Sequence, residues 1–310
     1  MNRFKHILVT GGAGFIGSHS VDLLLQHGFK VRVLDNLSSG KRSNLPLSNP
    51  NLELCIGDVT CFEDVEAAMQ GMDACLHLAA QVSVVVSIQD PVLSCQQNIL
   101  GFTSVMHAAA KSSIKRLVYA SSAAAYGQPA RLPIDESAVL APISPYGLEK
   151  SVNEQYAAMA HDLYSLSSLG LRYFNVYGPR QDPASSYAGV ISIFMERIQQ
   201  DKAITIYGDG SQSRDFIYVG DVARANVAAL LSNAQGACNV ATGHSITLLD
   251  LVSIISSFAG PAKVNFAKAR DGDIRLSAAS VQKMHKWLDI EAEVSPEQGL
   301  RKLWEELSCA

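Results

Sequence analysis

The sequence has few charged residues and no long run of a single sign. Charged side chains make up 17% of the 310 residues, the formal net charge is −4, and no run of lysine or arginine is longer than two residues. Proteins that hold nucleic acid or an anionic membrane electrostatically need a clustered basic surface. We therefore expect neither nucleic acid nor a membrane among the partners of this protein.

Cysteine and long apolar runs are also scarce. The six cysteines show no C-x-x-C spacing, which favours reduced thiols over a disulfide framework or a metal site. No stretch reaches the roughly 20 apolar residues that a membrane span needs. The first apolar segment, His6–Thr10, runs directly into a glycine loop and leaves no room for a signal peptide. We therefore expect a cytoplasmic protein without a metal centre.

The first half of the chain contains short apolar runs that alternate with helical patterns. The runs typical of buried strands are His6–Thr10, Lys30–Asp35, Leu52–Ile56, Ala74–Leu78, Arg116–Ser121 and Gly170–Tyr173. The patterns typical of helices include Phe15–His27, Phe62–Gln70, Pro91–Lys111 and a helix that begins at Ser144. Strands that alternate with helices predict right-handed βαβ units. The predicted fold class is therefore α/β, with a doubly wound parallel sheet.

A glycine-rich loop separates the first predicted strand from the first predicted helix. In this segment, Val9–His19, the residues Gly11, Gly14 and Gly17 are three apart, and a G-x-G-x-x-G pattern begins at Gly12. Such glycines allow a tight turn, a close approach to a pyrophosphate and close packing of helix on strand. The helix N-terminus then offers free N–H groups to phosphate. The sequence therefore predicts a dinucleotide site in a Rossmann fold.

An aspartate, Asp35, ends the second predicted strand, where it would bind the adenine-ribose hydroxyls and repel a 2′-phosphate. NAD is therefore favoured over NADP as the cofactor, although the basic residues Arg32 and Lys41 lie nearby. Asp58 follows the third predicted strand, and it is placed either to reach the adenine edge or to cap the next helix.

The pattern of elements changes after about Asn175, where loops become longer and strands shorter. We predict a dinucleotide-binding domain over residues 1–174 and a smaller substrate-binding domain over residues 175–310, with residues 216–243 able to return to the first domain. Within the second domain, Ser295 and Gln298 have the spacing of a capping box, which predicts the start of the last helix.

A tyrosine and a lysine share one face at the start of the helix that Ser144 caps. Tyr146 and Lys150 are four residues apart. Such a pair alone is typical of a solvated helix face. With a nicotinamide in the cleft, however, the lysine ammonium and the positive charge of the oxidised ring would both lower the phenol pKa from its usual value of about 10. The glycine loop upstream and the hydroxyls of Ser121 and Ser122 at a strand end favour a catalytic interpretation of the pair.

Several motifs in fixed order resemble the extended short-chain dehydrogenase/reductases, and within them the UDP-sugar 4-epimerases, most closely those acting on UDP-N-acetylglucosamine. The motifs are TGGAGFIGSH (10–19), Ser-x-x-x-Tyr-Gly (122–127), S-P-Y-x-x-x-K (144–150), LRYFNVYGPRQDP (171–183), the segment 208–225 and RDGDIRLS (270–277). The resemblance covers nearly the whole chain. It implies a Rossmann domain, a UDP-sugar-binding domain, bound NAD and a homodimer that pairs Pro91–Lys111 with Ser144–His161.

The resemblance also implies the reaction. Tyr146 would take the proton from the sugar 4-hydroxyl, which leads to a 4-keto sugar. Ser122, with Ser121 as second choice, would hydrogen-bond the reacting oxygen, and Lys150 would hold the nicotinamide ribose.

Two other classes of protein share this fold. Dehydrating relatives follow the catalytic hydroxyl with Asp-Glu, and decarboxylating relatives place a Glu there, whereas this chain has Ala123 and Ala124. A non-catalytic NAD sensor would have no reason to keep Ser122, Tyr146 and Lys150 together. Epimerisation is therefore favoured over both.

The implied contacts form two sets. The cofactor set is Gly11, Gly14, Phe15, Ile16, Gly17, Asp35, Asn36, Asp58, Val59, Leu78, Ala79, Ala80, Asn98 and Lys150. The substrate set is Ser83, Ser122, Tyr146, Asn175, Gln181, Val190, Thr205, Tyr207, Arg214, Arg270, Asp273 and Ser277. In the substrate set, Asn175 and the two arginines would bind the diphosphate, Asp273 the uridine ribose, and Thr205–Tyr207 the uracil. The arginines could instead form surface ion pairs with Asp215, Asp271 or Asp273.

The resemblance also bears on the size of the sugar that the pocket accepts. Ser277 falls at the position that walls the sugar pocket, and a small residue there leaves room for an acetamido group. Gln181 could hydrogen-bond that group, and Ser83 could meet the sugar from the opposite wall. These residues favour UDP-N-acetylglucosamine as the substrate. A UDP-glucose/UDP-galactose enzyme or a dual-specificity enzyme is the alternative.

Overall fold

The computed structural model describes residues 4–112, 114–182, 189–269 and 275–309. The strands, in chain order, are β1 (His6–Thr10), β2 (Lys30–Asp35), β3 (Leu52–Ile56), β4 (Ala74–His77), β5 (Arg116–Ser122), β6 (Ser168–Tyr173), β7 (Asn175–Tyr177), β8 (Ile204–Tyr207), β9 (Ser213–Arg214), β10 (Phe216–Tyr218), β11 (Gly236–Val240), β12 (Ile246–Thr247) and β13 (Val264–Ala267). The helices are α1 (Phe15–Gln26), α2 (Phe62–Met69), α3 (Val84–Gln89), α4 (Pro91–Cys95), α5 (Gly101–Lys111), α6 (Pro145–Tyr164), α7 (Val190–Gln199), α8 (Val219–Leu231), α9 (Leu248–Ala259), α10 (Gln282–Leu288) and α11 (Pro296–Cys309).

The central sheet forms because its strands are short apolar runs that can be buried on both faces. Every neighbouring pair is parallel, and the strand order is β11-β6-β5-β4-β1-β2-β3. Successive side chains alternate between faces: Ile7 and Val9 belong to one buried cluster, and Leu8 belongs to another. Helices α1 and α8 cover the first face, and α2, α5 and α6 cover the second. The predicted α/β fold with a doubly wound parallel sheet is confirmed.

The strand order also places the cleft. The chain runs outward from β1 to β2 and β3, and then returns to β4 on the other side of β1. In open parallel sheets, ligands bind beyond the carboxyl ends of the strands at such a switch point. Thr10, His77 and Ser122, which end β1, β4 and β5, therefore lead into the candidate site.

The long helix predicted over Pro91–Lys111 is interrupted. Helix α4 ends at Cys95, a π-helical turn spans Gln96–Leu100, and α5 continues from Gly101. Apolar periodicity does not reveal such a turn, because both flanking segments keep helical spacing. A π-turn redirects the side chains that it carries and often marks a functional region.

The C-terminal residues form a third buried cluster. Phe194 on α7, Ile206 on β8, Leu251 on α9 and Leu300 on α11 pack together. Ser295 accepts a hydrogen bond from the backbone of Gln298 and donates its own N–H to the Gln298 side chain, which confirms the predicted capping box. Strand β11 lies in the central sheet beside β6. Among the described residues, no helix combines the length and apolar character that crossing a bilayer requires.

Candidate active site

The phosphate loop between β1 and α1 is built on glycines that no larger residue could replace. Gly11 has a φ of +69°, and a Cβ there would lie 2.6 Å from the backbone nitrogen of Ala79. A Cβ on Gly17 would overlap the carbonyl oxygen of Gly11. These contacts bring α1, β1 and the segment after β4 close together, as the glycine spacing predicted.

The N-terminus of α1 fits a dinucleotide phosphate. Gly14 is the N-cap residue, no side chain caps the helix, and its first turn has no acidic residue. The first N–H groups of a helix have no partner within it, and Gly14, Phe15, Ile16 and Gly17 all line the cleft. A Cβ on Gly14 would meet only the Gly11 oxygen, at 3.2 Å. The turn thus offers donors, a positive dipole end and open space.

The adenosine side of the cleft is organised by Asp35, which is buried at the end of β2. Its two carboxylate oxygens accept hydrogen bonds from Ala13 N at 2.9 Å and from Leu37 N at 2.8 Å. Arg32 turns away, because its guanidinium binds Glu53 at 2.7 Å and the backbone carbonyls of Ala68 and Gln70 at the end of α2. The acid at the end of β2 with the arginine turned away supports the prediction of NAD over NADP.

Two residues of the predicted cofactor set lie behind the wall of the cleft. Asp58 binds Asn36 at 2.8 Å and the backbone of Thr60 at 2.8 Å. Asn98, on the π-turn, is buried, and it bonds the backbone of Gln81 and the carboxylate of Glu149. The rest of that set lines the cleft: Gly11, Gly14, Phe15, Ile16, Gly17, Asp35, Asn36, Val59, Leu78, Ala79, Ala80 and Lys150. Asp58 and Asn98 therefore support lining residues instead of facing the cleft themselves.

The cleft has a volume of about 740 Å³ and extends from the phosphate loop to the C-terminal part of the chain. Tyr146 and Lys150 lie in it near the end of β5. Ser144 caps α6 as predicted, by accepting the N–H of Gly147 at 3.2 Å. The Lys150 Nζ lies 5.7 Å from the centroid of the Tyr146 ring. The helix start therefore does bring the phenol and the ammonium together inside the cleft.

The two serines at the end of β5 have different partners. The side chain of Ser122 hydrogen-bonds the side chain of Tyr146. Ser121 is buried and donates to Glu154 at 2.6 Å, and Glu154 is paired with Arg172 at 2.6 Å. Ser122 is therefore the serine whose hydroxyl meets Tyr146, whereas Ser121 anchors the strand end to a buried ion pair.

Burial shifts the pKa of three titratable groups at this end of the cleft. It raises the pKa of Tyr146, and the hydrogen bond with Ser122 opposes that shift. Burial lowers the pKa of Lys150 to about 8. Burial, assisted by the charge of Lys150, lowers the pKa of His77 to about 3, so His77 is neutral at neutral pH. The predicted lowering of the Tyr146 pKa counted Lys150 together with the charge of oxidised nicotinamide, so it stays a prediction for the NAD-bound enzyme. Within the protein alone, burial and the charge of Glu149 raise that pKa.

Besides Ser122 and Tyr146, five residues of the predicted substrate set line the cleft. They are Asn175, Gln181, Val190, Arg214 and Ser277. The Asn175 Nδ2 lies 3.3 Å from the carbonyl oxygen of Asp215, and Arg214 donates to the carbonyl of Ser213 at 2.9 Å. The carboxylate of Asp215 binds Thr242 and Gly243. The negative charge of Asp215 is therefore satisfied by these hydrogen bonds, without the ion pair with Arg214 that the alternative interpretation assumed.

Other residues of the substrate set lie elsewhere. Ser83 is buried and caps α3 by accepting the N–H of Val86 at 3.1 Å. Thr205 and Tyr207 lie on β8, outside the described lining of the cleft. Arg270 and Asp273, with Asp271, lie outside the described residues.

Sequence analysis did not identify the buried groups that support the site. Glu149 accepts hydrogen bonds from Ser94 at 2.8 Å and from Asn98 at 2.6 Å, and Glu154 holds Ser121 and Arg172. Acidic residues on α6 resemble a solvated face in the sequence, so no pattern signals their burial. Among the described residues, no group of His, Cys, Asp and Glu has the arrangement of a metal site.

The parallel sheet, the glycine cradle and the tyrosine and lysine on α6 define an enzyme of the short-chain dehydrogenase/reductase class. The family model of the NAD-dependent epimerase/dehydratase family matches residues 7–241. The chain belongs to this family, and NAD is its cofactor.

Three similar proteins illustrate the relationship. A putative UDP-glucose 4-epimerase of Methanocaldococcus jannaschii is 38% identical, over 96% of each chain. The UDP-N-acetylglucosamine 4-epimerase of Methanobrevibacter ruminantium, solved with UDP-N-acetylmuramic acid, is 39% identical with a TM-score of 0.92 over 100% of both chains. The UDP-glucose 4-epimerase of Thermus thermophilus, solved with NAD, is 38% identical with a TM-score of 0.90, over 98% of this chain and 99% of that one.

Proposed function

We propose that this protein is an NAD-dependent 4-epimerase of UDP-hexoses and that it interconverts UDP-N-acetylglucosamine and UDP-N-acetylgalactosamine. The observation that supports this choice of substrate is the small, largely buried side chain of Ser277 on the wall of the cleft. The 4-epimerase names of full-length relatives acting on UDP-sugars support the reaction.

The residues of the chain divide the chemistry between them. Tyr146 takes the proton of the sugar 4-hydroxyl as that carbon becomes a ketone, and returns it after the sugar has turned its other face. Ser122 hydrogen-bonds both Tyr146 and the reacting oxygen. Lys150 holds the cofactor ribose and adds positive charge beside the phenol. When bound, NAD accepts hydride from the sugar and returns it, and its oxidised ring adds a positive charge that favours the phenolate.

The remaining roles are proposed in the same way. The residues that line the phosphate loop and the ends of β2 and β4 would hold NAD, with Asp58 and Asn98 fixing their neighbours. Asn175 and Arg214 would bind the diphosphate, and arginine suits that task because its planar fork matches phosphate oxygens. The two domains are proposed over residues 1–174 and 175–310. Strand β11 beside β6 supports the return of residues 216–243 to the first.

A second substrate pair, UDP-glucose and UDP-galactose, is favoured by the surroundings of Gln181. Its Oε1 already accepts a hydrogen bond from Ser192 at 2.5 Å, and its Nε2 lies 3.5 Å from the carbonyl oxygen of Val176. An amide engaged by the protein has less capacity to recognise an acetamido group. Space beside Ser277 without such recognition would admit both sugars, since a roomy pocket discriminates weakly against a smaller substrate.

We expect purified protein to convert UDP-N-acetylglucosamine to UDP-N-acetylgalactosamine faster than it converts UDP-glucose to UDP-galactose, because the pocket beside Ser277 has room for the acetamido group. Proton NMR of the anomeric region, with each substrate incubated separately, measures both conversions. Equal rates would leave the epimerase assignment in place and support dual specificity. If NAD-loaded protein converted neither substrate, the epimerase assignment would be contradicted. A product that has lost water or carbon dioxide would identify a dehydratase or decarboxylase.

Ser277→Tyr is the matched variant for this experiment. The larger ring would fill the wall position and lower the rate on UDP-N-acetylglucosamine about tenfold or more. The rate on UDP-glucose, measured on the same preparation, should change much less and serves as the internal control. An equal loss on both sugars would show that Ser277 does not set the size of the pocket.

We also propose a homodimer that buries α4, α5 and α6. Val92 on α4, Leu100 on the π-turn and Met159 on α6 are 67%, 48% and 50% exposed, so large apolar side chains on this surface face outward. Tyr156, also on α6, packs partly against the core. Sedimentation equilibrium should give twice the mass of the chain, whereas a monomeric mass at micromolar concentration would contradict the proposal.

A further inference from the structure

Asp215 is a fully buried carboxylate that sits between β9 and β10, directly after Arg214. Its Oδ1 accepts hydrogen bonds from Thr242 N at 2.9 Å and from Thr242 Oγ1 at 2.7 Å. Its Oδ2 accepts from Gly243 N at 2.9 Å, and the backbone of Ala279 also donates to the carboxylate. All of these partners are donors, so the buried charge is satisfied without a cation.

These partners come from segments that are far apart in the chain. Thr242 and Gly243 form the turn after β11, and Ala279 follows Ser277 by two residues. The backbone carbonyl of Asp215 links a further segment. It accepts hydrogen bonds from the backbone N–H of Asn175, at 3.0 Å, and from the Asn175 side-chain Nδ2, at 3.3 Å. One residue therefore joins β7, the β9–β10 junction, the turn after β11 and the strand-like segment near Ser277.

The same segments carry the substrate wall of the cleft. Asn175, Arg214 and Ser277 all line it, and each is either bonded to Asp215, adjacent to it, or two residues from one of its partners. Nearby backbone pairing agrees with this arrangement: Ser213 pairs with Leu276, and Ile134 pairs with Ala279. The carboxylate itself holds the segment of Ala279, so displacing it would shift Ser277 relative to Asn175 and Arg214, which are linked to residue 215 through the main chain.

The position requires a carboxylate and not merely a polar residue of its size. An ionised carboxylate is acceptor-only, and its two oxygens can receive all four donors. An asparagine would turn an NH₂ group toward at least one backbone N–H and leave that donor buried without a partner. Burial raises the pKa of Asp215, and the four hydrogen bonds oppose this shift.

We propose that Asp215 is a positioning residue that preforms the substrate wall by tying together the segments that bear Asn175, Arg214 and Ser277. The role rests on the proposed function, because it assigns that wall to the diphosphate and the sugar. Asp215 itself touches neither ligand. Its contribution is to hold the wall in place before the substrate arrives, which reduces the ordering that binding must supply.

The test is Asp215→Asn, with binding of UDP and of NAD measured separately by isothermal titration calorimetry and with kcat and KM measured for epimerisation. We expect the Kd for UDP and the KM for the UDP-sugar to rise about tenfold, the size expected for one unsatisfied buried donor. We expect the Kd for NAD to stay unchanged and kcat to change less than about threefold. A folded Asp215→Asn protein that binds both ligands more weakly and has a lower kcat would show a general structural role and overturn the proposal.

Two further variants sharpen the test. Asp201→Asn removes the same charge from an exposed surface pair with Lys263, and it should leave all four constants unchanged. Thr242→Val keeps the carboxylate and removes one of its donors, so it should raise the Kd for UDP about threefold without altering NAD binding. If the Asp215→Asn protein does not fold, Thr242→Val takes its place in the test. Unchanged UDP binding in either Asp215→Asn or Thr242→Val would overturn the assignment. Wild-type protein that binds NAD but not UDP would overturn the proposed function, and the assignment with it.

Discussion

Tyr146→Phe is expected to lower kcat for epimerisation about 1,000-fold, within the range of general acid–base catalysis. The variant keeps the ring that packs near Lys150 but loses the hydroxyl that meets Ser122. Tyr173 also lines the cleft beside Ser122, but its hydroxyl is bonded to Asn226 at 2.7 Å. Conversion measured by NMR, together with NAD binding measured by titration, separates lost chemistry from lost cofactor.

Tyr164→Phe is the matched control for that variant, because it removes the same hydroxyl from a tyrosine at the exposed far end of α6. It should retain wild-type kcat and NAD affinity. A Tyr146→Phe protein that binds NAD and retains more than about a tenth of wild-type kcat would contradict the role of Tyr146 as the base.

The sheet could be predicted because parallel strands buried on both faces are written as short, nearly continuous apolar runs. Predicted β1, β2 and β3 have the observed bounds, and the other predicted strands differ by one or two residues at one end. The glycine loop could be predicted equally well. Contacts within a few residues, or with the neighbouring strand's end, leave no room for a side chain at Gly11 and Gly17. Local spacing carries such information well.

What sequence reasoning missed depends on contacts between distant segments. Nothing in a run of three alanines after Ser122 reveals that Ser121, not Ser122, is taken up by Glu154. Likewise, the π-turn that places Asn98 against Gln81 and Glu149 interrupts a pattern that is helical on both sides. Buried polar networks of this kind are fixed by tertiary geometry, so their members look like surface residues in the sequence.

The electrostatics of the site show the same division between pattern and environment. The spacing of Tyr146 and Lys150 predicted their proximity correctly, but it does not show the burial that raises the phenol pKa within the protein. The charge of a neighbour can be read from a sequence, whereas the desolvation that outweighs it depends on the packing of β4, β5 and α6 around the pair. The proposed base therefore depends on the positive charge that the bound cofactor supplies.

Gly17→Ala is expected to weaken NAD binding at least 100-fold and to destabilise the fold by about 1–3 kcal/mol, the usual cost of overpacking. The added methyl would overlap the carbonyl oxygen of Gly11 and lie 2.8 Å from the Cα of Gly12, so α1 would have to move away from the phosphate loop. That displacement carries the helix N-terminus, with its N–H groups, away from the phosphates. Urea unfolding and NAD titration measure the two effects.

Gly14→Ala provides the contrast that identifies the cause. Its methyl would meet only the Gly11 oxygen, at 3.2 Å, and would otherwise enter the cleft. The free energy of unfolding should therefore fall by less than about 1 kcal/mol, the scale of an unfavourable N-cap residue, while NAD binding still weakens strongly. Loss of binding without loss of stability would show that the space beside Gly14 belongs to the cofactor. If both variants bound NAD like the wild type, the phosphate loop could not be the dinucleotide site.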